Sequence, residues 1–284
     1  MAHEIRIDPL SKCSLLLELS MDGNPLGTAT GFVINAGGKH HLITNWHVVT
    51  GRHPDTNKNL IDGKNPTEVT ILHHAANDLS SWIKRTEPLY TRDGDQCWLE
   101  HPHGRPIDVI ALPLQHIDTD IAIYPMELSL FDREIIATPA MPASIIGYPS
   151  NLTKAGGGPI WKTGHIASDP DIDYKDPYQD YNPIPAFLID AITRPGMSGS
   201  PVVLRLVGGY YVRDSNSAIG YVQSGRPETR FLGVLSAGMY NDKIGLAEIC
   251  LVWRPQIIHD ICGIDKTAEL ALQRQKQPSQ RPRG

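Results

Sequence analysis

The chain is written in short apolar runs, each halted by a turn. Ser14–Leu19, Glu68–His74, Asp108–Leu114, Ala143–Pro149, Ile160–Ala167, Ala186–Ala191, Val202–Val207, Phe231–Met239 and Ile244–Trp253 are strand-like in length and content. Trp82–Tyr90 and Gln96–Glu100 are weaker strand candidates. Between the runs lie clusters of Gly, Pro, Asn and Asp, drawn from 25 glycines and 23 prolines. A helical period is almost absent, so the pattern predicts an all-β fold. Helices are expected only near the end, at Pro255–Cys262 and from Lys266 to about Gln275, with Pro255 suited to a first helical turn. The final segment, Gln277–Gly284, is too polar and Pro-rich to pack and is expected to be disordered.

Two of these runs bracket Thr193-Arg194-Pro195-Gly196-Met197-Ser198-Gly199-Ser200-Pro201. Glycines near Ser198 on both sides permit a tight elbow that presents one serine. Such a turn can aim two backbone N–H groups at one point, which is what a developing oxyanion requires. Taken alone it is also an ordinary β-turn, because Gly, Pro and Ser dominate turns. The second informative stretch is a hairpin. Leu26–Ile34 and His41–Gly51 flank an Ala-Gly-Gly turn, and His47 stands at the end of the second strand. Serine is a poor nucleophile without a base, and imidazole is the base that serves near neutral pH.

With those residues in place the chain resembles the trypsin-like serine proteases, in the bacterial branch that includes the protease domain of HtrA-type enzymes. The likeness rests on Gly31-Phe32-Val33-Ile34, Ile43-Thr44-Asn45-Trp46-His47-Val48-Val49, Ala143–Pro149 and Asp190–Pro201, and covers roughly residues 12–262. The order His, Asp, Ser fits the same family. The resemblance implies two packed six-stranded antiparallel β-barrels with a short C-terminal helix. The peptidase domain would span 10–262, as an N-terminal barrel over 10–125 and a C-terminal barrel over 126–262. Residues 263–284 would be a short helix and tail.

A Ser–His pair needs a carboxylate to hold the imidazole in one tautomer. Asp108 and Asp120 each precede an apolar run. Asp108 is preferred, because its run is the more complete strand and resembles the family's Asp-Val-x-x-Leu-Pro-Leu; Asp120 sits in a polar, turn-like cluster. The oxyanion hole is expected from the backbone N–H groups of Gly196 and Ser198, with Met197 between them. The secreted enzymes carry Asp where Met197 stands, so activation by a newly cut N-terminus is not expected. Asp190 reads as structural. Ser236, Ala237 and Gly238 resemble the edge strand that pairs with an extended peptide. Ile192 is expected at the base of the pocket before the cut, favouring an apolar or small residue.

The formal net charge of −5 argues against a nucleic-acid surface. No apolar run reaches membrane-spanning length, and the first residues lack a secretory pattern, so a cytoplasmic protein with a polypeptide substrate is expected. Cys13, Cys97, Cys250 and Cys262 are scattered and read as reduced. His73-His74 and His101-Pro102-His103 with Cys97 match no zinc spacing, so neither metal nor cofactor is expected. The other reading is a trypsin-fold module that binds peptides silently, or only cuts after a protein activator completes its site.

Overall fold

The structure is a computed structural model. It describes residues 7–61, 63–153, 157–175, 182–213, 218–241 and 245–264. The expected helix from Lys266 and the tail lie outside these residues.

The chain order is α1 (Pro9–Cys13), β1 (Ser14–Met21), β2 (Asn24–Ala36), β3 (Lys39–Thr44), α2 (Trp46–Thr50), β4 (Glu68–Ala75), β5 (Asp78–Pro88), β6 (Leu99–Glu100), β7 (Ile110–Pro113), β8 (Ile121–Ala122), β9 (Pro142–Gly147), β10 (Ile160–Ile166), β11 (Ala186–Asp190), β12 (Pro201–Arg213), β13 (Ile219–Asn241), β14 (Gly245–Trp253) and α3 (Gln256–Cys262). The strands form two antiparallel sheets. The first runs β5-β4-β1-β2-β3-β7-β6, with β8 added on β4. The second closes as a six-stranded barrel, β10-β11-β14-β13-β12-β9. The first sheet thus has eight strands where six were expected. Its two-residue members β6 and β8 account for the difference.

Alternation builds each core. In β1 and β2, Leu17 lies opposite Ala29 and Leu15 opposite Gly31, and Leu15, Leu17, Ala29, Val33, Leu42, Val69 and Ile71 are buried together. The second barrel buries Ile145, Phe187, Val202, Leu235 and Val252. A third cluster spans both halves and includes Phe32, Ile43, Val109, Phe231 and the α3 residues Ile257 and Ile258. It is this shared apolar seam that holds the two sheets against each other, and α3 sits against β7 as part of it.

β4 also buries His73, on the same face as Val69 and Ile71. Its Nδ1 makes no hydrogen bond among the described residues. Burial, and then the charge of Arg85, push its pKa down to about 4. An unfolded histidine takes up a proton near pH 6.5, so between about 6.5 and about 4 the unfolded chain binds a proton that the folded chain refuses. Stability is therefore full above that window and falls through it, by up to about 3 kcal/mol. Denaturant titrations from pH 7 to 4 should show this loss, and His73→Leu should flatten it. An equally steep loss in His73→Leu would remove His73 as the cause.

Candidate active site

His47 is delivered by the end of β3. After Thr44 the chain enters the single turn α2, and Gly51 closes it with its N–H on His47 O at 2.9 Å. Asn45 Nδ2 donates to the Asp108 carbonyl at 2.7 Å, tying this corner to the segment before β7. The Asp108 side chain is buried and engages His47 at two points. Oδ2 accepts from His47 Nδ1 at 2.7 Å, and Oδ1 accepts from the His47 backbone N–H at 2.9 Å. Ser236 Oγ donates to the same Oδ2 at 2.7 Å. Burial disfavours a charge on His47, but the adjacent Asp108 carboxylate and its hydrogen bond outweigh this and raise the imidazole above its ordinary value.

Asp120 lies elsewhere. Its carboxylate is half exposed and takes two hydrogen bonds from Arg85 Nη2, at 2.6 and 2.8 Å. Arg85 also meets Asp118 at 3.1 Å. Of the two carboxylates offered by the sequence, only Asp108 touches His47.

Ser198 is half-buried and faces the same cavity as His47. The loop that carries it is pinned by the first sheet. Thr30 N donates to Ser198 O at 3.0 Å, and Thr30 Oγ1 donates to Gly196 O at 2.7 Å while accepting from Tyr148 N at 3.1 Å. The approach is so close that two positions tolerate only glycine. A Cβ on Gly196 (φ +94°) would stand 2.4 Å from Tyr148 O, and one on Gly199 (φ +83°) 2.2 Å from Thr30 O. Further along, Gly199 N donates to Leu235 O and Ser200 N to Met197 O. The N–H groups of Gly196 and Ser198 donate to nothing among the described residues.

Met197, between them, is buried with Ala191, Val202, Leu235 and Cys250. Burying such a side chain is worth roughly 1.5–3 kcal/mol. Apolar packing therefore anchors the turn where an Asp could have been tied by an ion pair.

The residues expected to bind substrate divide. Ser236 is buried, and its side chain serves Asp108. Ile192 is exposed on the segment leading to the elbow. Ala237 and Gly238 follow on β13, with Gly238 opposite Cys250; their exposure lies outside the described residues. β12 stops pairing with β13 at Val234, and Leu235 is held by Gly199 and Ser200. Asp190 is an exposed strand residue opposite His165. Thr30 had no local signal in the sequence; only the packing of the two sheets shows what it does.

Among the described residues no group of three or more His, Cys, Asp or Glu could hold a metal. No helix there is long and apolar enough to cross a membrane. All four cysteines are free.

No curated protein matches the chain. Among solved structures it is similar to the active form of the Rv3671c protease from M. tuberculosis, at 18% identity over 89% of this chain and 81% of that one, with a TM-score of 0.48. It is also similar to the protease Anisep from Arthrobacter nicotinovorans, at 13% identity over 88% and 93% of the two chains, with a TM-score of 0.47. Residues 29–208 match the family described as Trypsin-like peptidase domain, and the chain belongs to that family of serine proteases.

Proposed function

We propose that the chain is a serine endopeptidase that cleaves polypeptides through an acyl-enzyme, with Ser198 as nucleophile, His47 as base and Asp108 as the group that orients it. The observation that carries this reading is the two-point contact of Asp108 with His47, made beside a serine that shares their cavity. Asp108 on Nδ1 leaves Nε2 of the neutral ring free to take the Ser198 proton. As Oγ attacks the carbonyl carbon, the oxygen becomes negative. The uncommitted N–H groups of Gly196 and Ser198 are the donors for it, each worth on the order of a hundredfold in rate or more. His47 then gives the proton to the departing amine, and water repeats the cycle on the ester.

The substrate segment before the cut would run along β13 at Ser236, Ala237 and Gly238, where the strand has left β12, and pair through main-chain groups. Ile192 offers no charge to the residue before the cut, which favours an apolar or small one. No nucleic acid, membrane or cofactor enters this reading, and a protein activator is not required by it.

Labelling with a fluorophosphonate probe tests the proposal. The parent should react, Ser198→Ala should not, and denatured casein should be cut by the parent alone. A folded parent that neither labels nor cuts would overturn it.

A further inference from the structure

We propose that this protease selects substrates on the leaving-group side of the scissile bond, through an apolar pocket that takes a branched aliphatic side chain just after the cut. The inference rests on the peptidase reading above. Ser198 and His47 both line a cavity of about 140 Å³. Its walls are Leu26 and Ala29 from β2, Val48 from α2, and Leu60, Ile61 and Pro66 from the loop that follows. A volume near 150 Å³ is what an apolar cavity needs to accept a molecule the size of benzene, so one Leu, Ile or Val side chain fits.

The lining fixes which side of the bond this is. In the reading above, the acyl part stays on Ser198 and runs along β13. Among the described residues none of β13 or of 192–196 lines the cavity, which is built by β2, α2 and the following loop. The departing segment must leave over these elements. His47 lies there too, as it must in order to protonate the departing nitrogen.

Three features make the pocket selective. Its rim presents two adjacent aliphatic side chains to solvent, Leu60 at 53% and Ile61 at 44% exposed, beside the reacting serine; exposed apolar surface gathered at one place marks a binding surface. The loop bearing them is held in shape. Leu60 N donates to Gly51 O at 2.7 Å, Lys64 N to Ile61 O at 3.1 Å, and Arg52 bridges to Asn59, so little ordering is left to binding. Lastly, Lys64 contributes a positive charge to the lining, in which no carboxylate stands among the described residues, so a Lys or Arg side chain would be desolvated beside a like charge.

Partitioning of the acyl-enzyme reads this side of the site alone. p-Nitrophenyl acetate acylates Ser198 with a group too small to need the acyl-side pocket. An added amino-acid amide then competes with water. Its nitrogen attacks the acyl carbon, the C–N bond forms as the Oγ–acyl bond breaks, and the amine proton returns to Oγ through His47. Leucinamide should intercept the acyl-enzyme at least about 10-fold better than glycinamide, with lysinamide no better than glycinamide. Leu60→Ser and Ile61→Ser alter exposed side chains, and each should lower the leucinamide preference several-fold, as a ratio within the same variant. A burst followed by equal partitioning among the three amides, a preference for lysinamide, or full leucinamide preference in both variants would overturn the pocket assignment and leave the peptidase reading standing. A folded parent that releases p-nitrophenol no faster than Ser198→Ala and does not label would overturn the peptidase reading and the pocket with it.

Discussion

Replacing Ser198 by Ala is expected to lower kcat for peptide cleavage by on the order of 10⁶-fold, and adding His47→Ala to that variant to cost little more. In the proposed mechanism the two side chains are one device. The imidazole is useful only because a hydroxyl proton must be removed, and the hydroxyl is useful only because the imidazole removes it. Once either is absent, what remains is substrate held against the N–H groups of Gly196 and Ser198, which still leaves on the order of 10³–10⁴-fold over water. Single-turnover cleavage of one quenched peptide by the parent, the two single variants and the double variant, each at matched concentrations of folded protein, measures this. Losses that multiply in the double variant would show that Ser198 and His47 act separately, and would end the assignment of a base–nucleophile pair.

Much of the fold was legible because strands announce themselves locally. The buried strands β1 and β11 follow directly from the apolar runs Ser14–Leu19 and Ala186–Ala191, and β4 shows the alternation of a strand with one covered face. Two features were not. β8 is only Ile121–Ala122, added at His74 and Ala75 of β4; two residues carry no period, and the flanking Asp118 and Asp120 read as a turn. The β12–β13 hairpin extends far beyond Val207, through Gly208 and Gly209. Those glycines fall in a stretch that the sequence marks only as a hairpin region near 208–229, and they sit at a register shift within the paired strands, where a bulge needs such residues. The site divides the same way. Ser198 and His47 lie in stretches whose local chemistry points to them. For the carboxylate, an acid before an apolar run occurs at both 108 and 120; the fuller strand after Asp108 favours it in sequence, and the structure pairs Asp108 with His47 and Asp120 with Arg85. Ser236 and Thr30 act across 128 and 166 residues of chain respectively. The first reads in sequence as a substrate-binding residue, while its hydroxyl is spent on Asp108; the second carries no local mark at all.

That separation makes the acid the sharpest remaining test. Asp108→Asn should lower kcat by about 10⁴-fold, whereas Asp120→Asn should leave it within about twofold, removing only an exposed ion pair worth at most ~1 kcal/mol of stability. The size of the first effect follows from the hydrogen bonds. In the Asp108→Asn variant the new amide's carbonyl oxygen is claimed by the His47 backbone N–H, which in the parent donates to Oδ1 at 2.9 Å. The amide nitrogen then takes the place of Oδ2 and points its protons at Ser236 Oγ and His47 Nδ1. The hydroxyl can accept, but Nδ1 must also accept, and the imidazole proton moves to Nε2. A ring protonated at Nε2 cannot take the proton from Ser198. The pH profile offers an independent check on the same contact. His47 works as a base only when neutral, and Asp108 raises its pKa, so the parent rate should climb with pH through a value above the ordinary ~6.5 of histidine. Without the carboxylate, burial alone acts on the ring and the residual activity of Asp108→Asn should begin at lower pH. A variant with undiminished kcat, or one whose acid limb stays where the parent's is, would mean that Asp108 does not govern His47, whatever their separation in the fold.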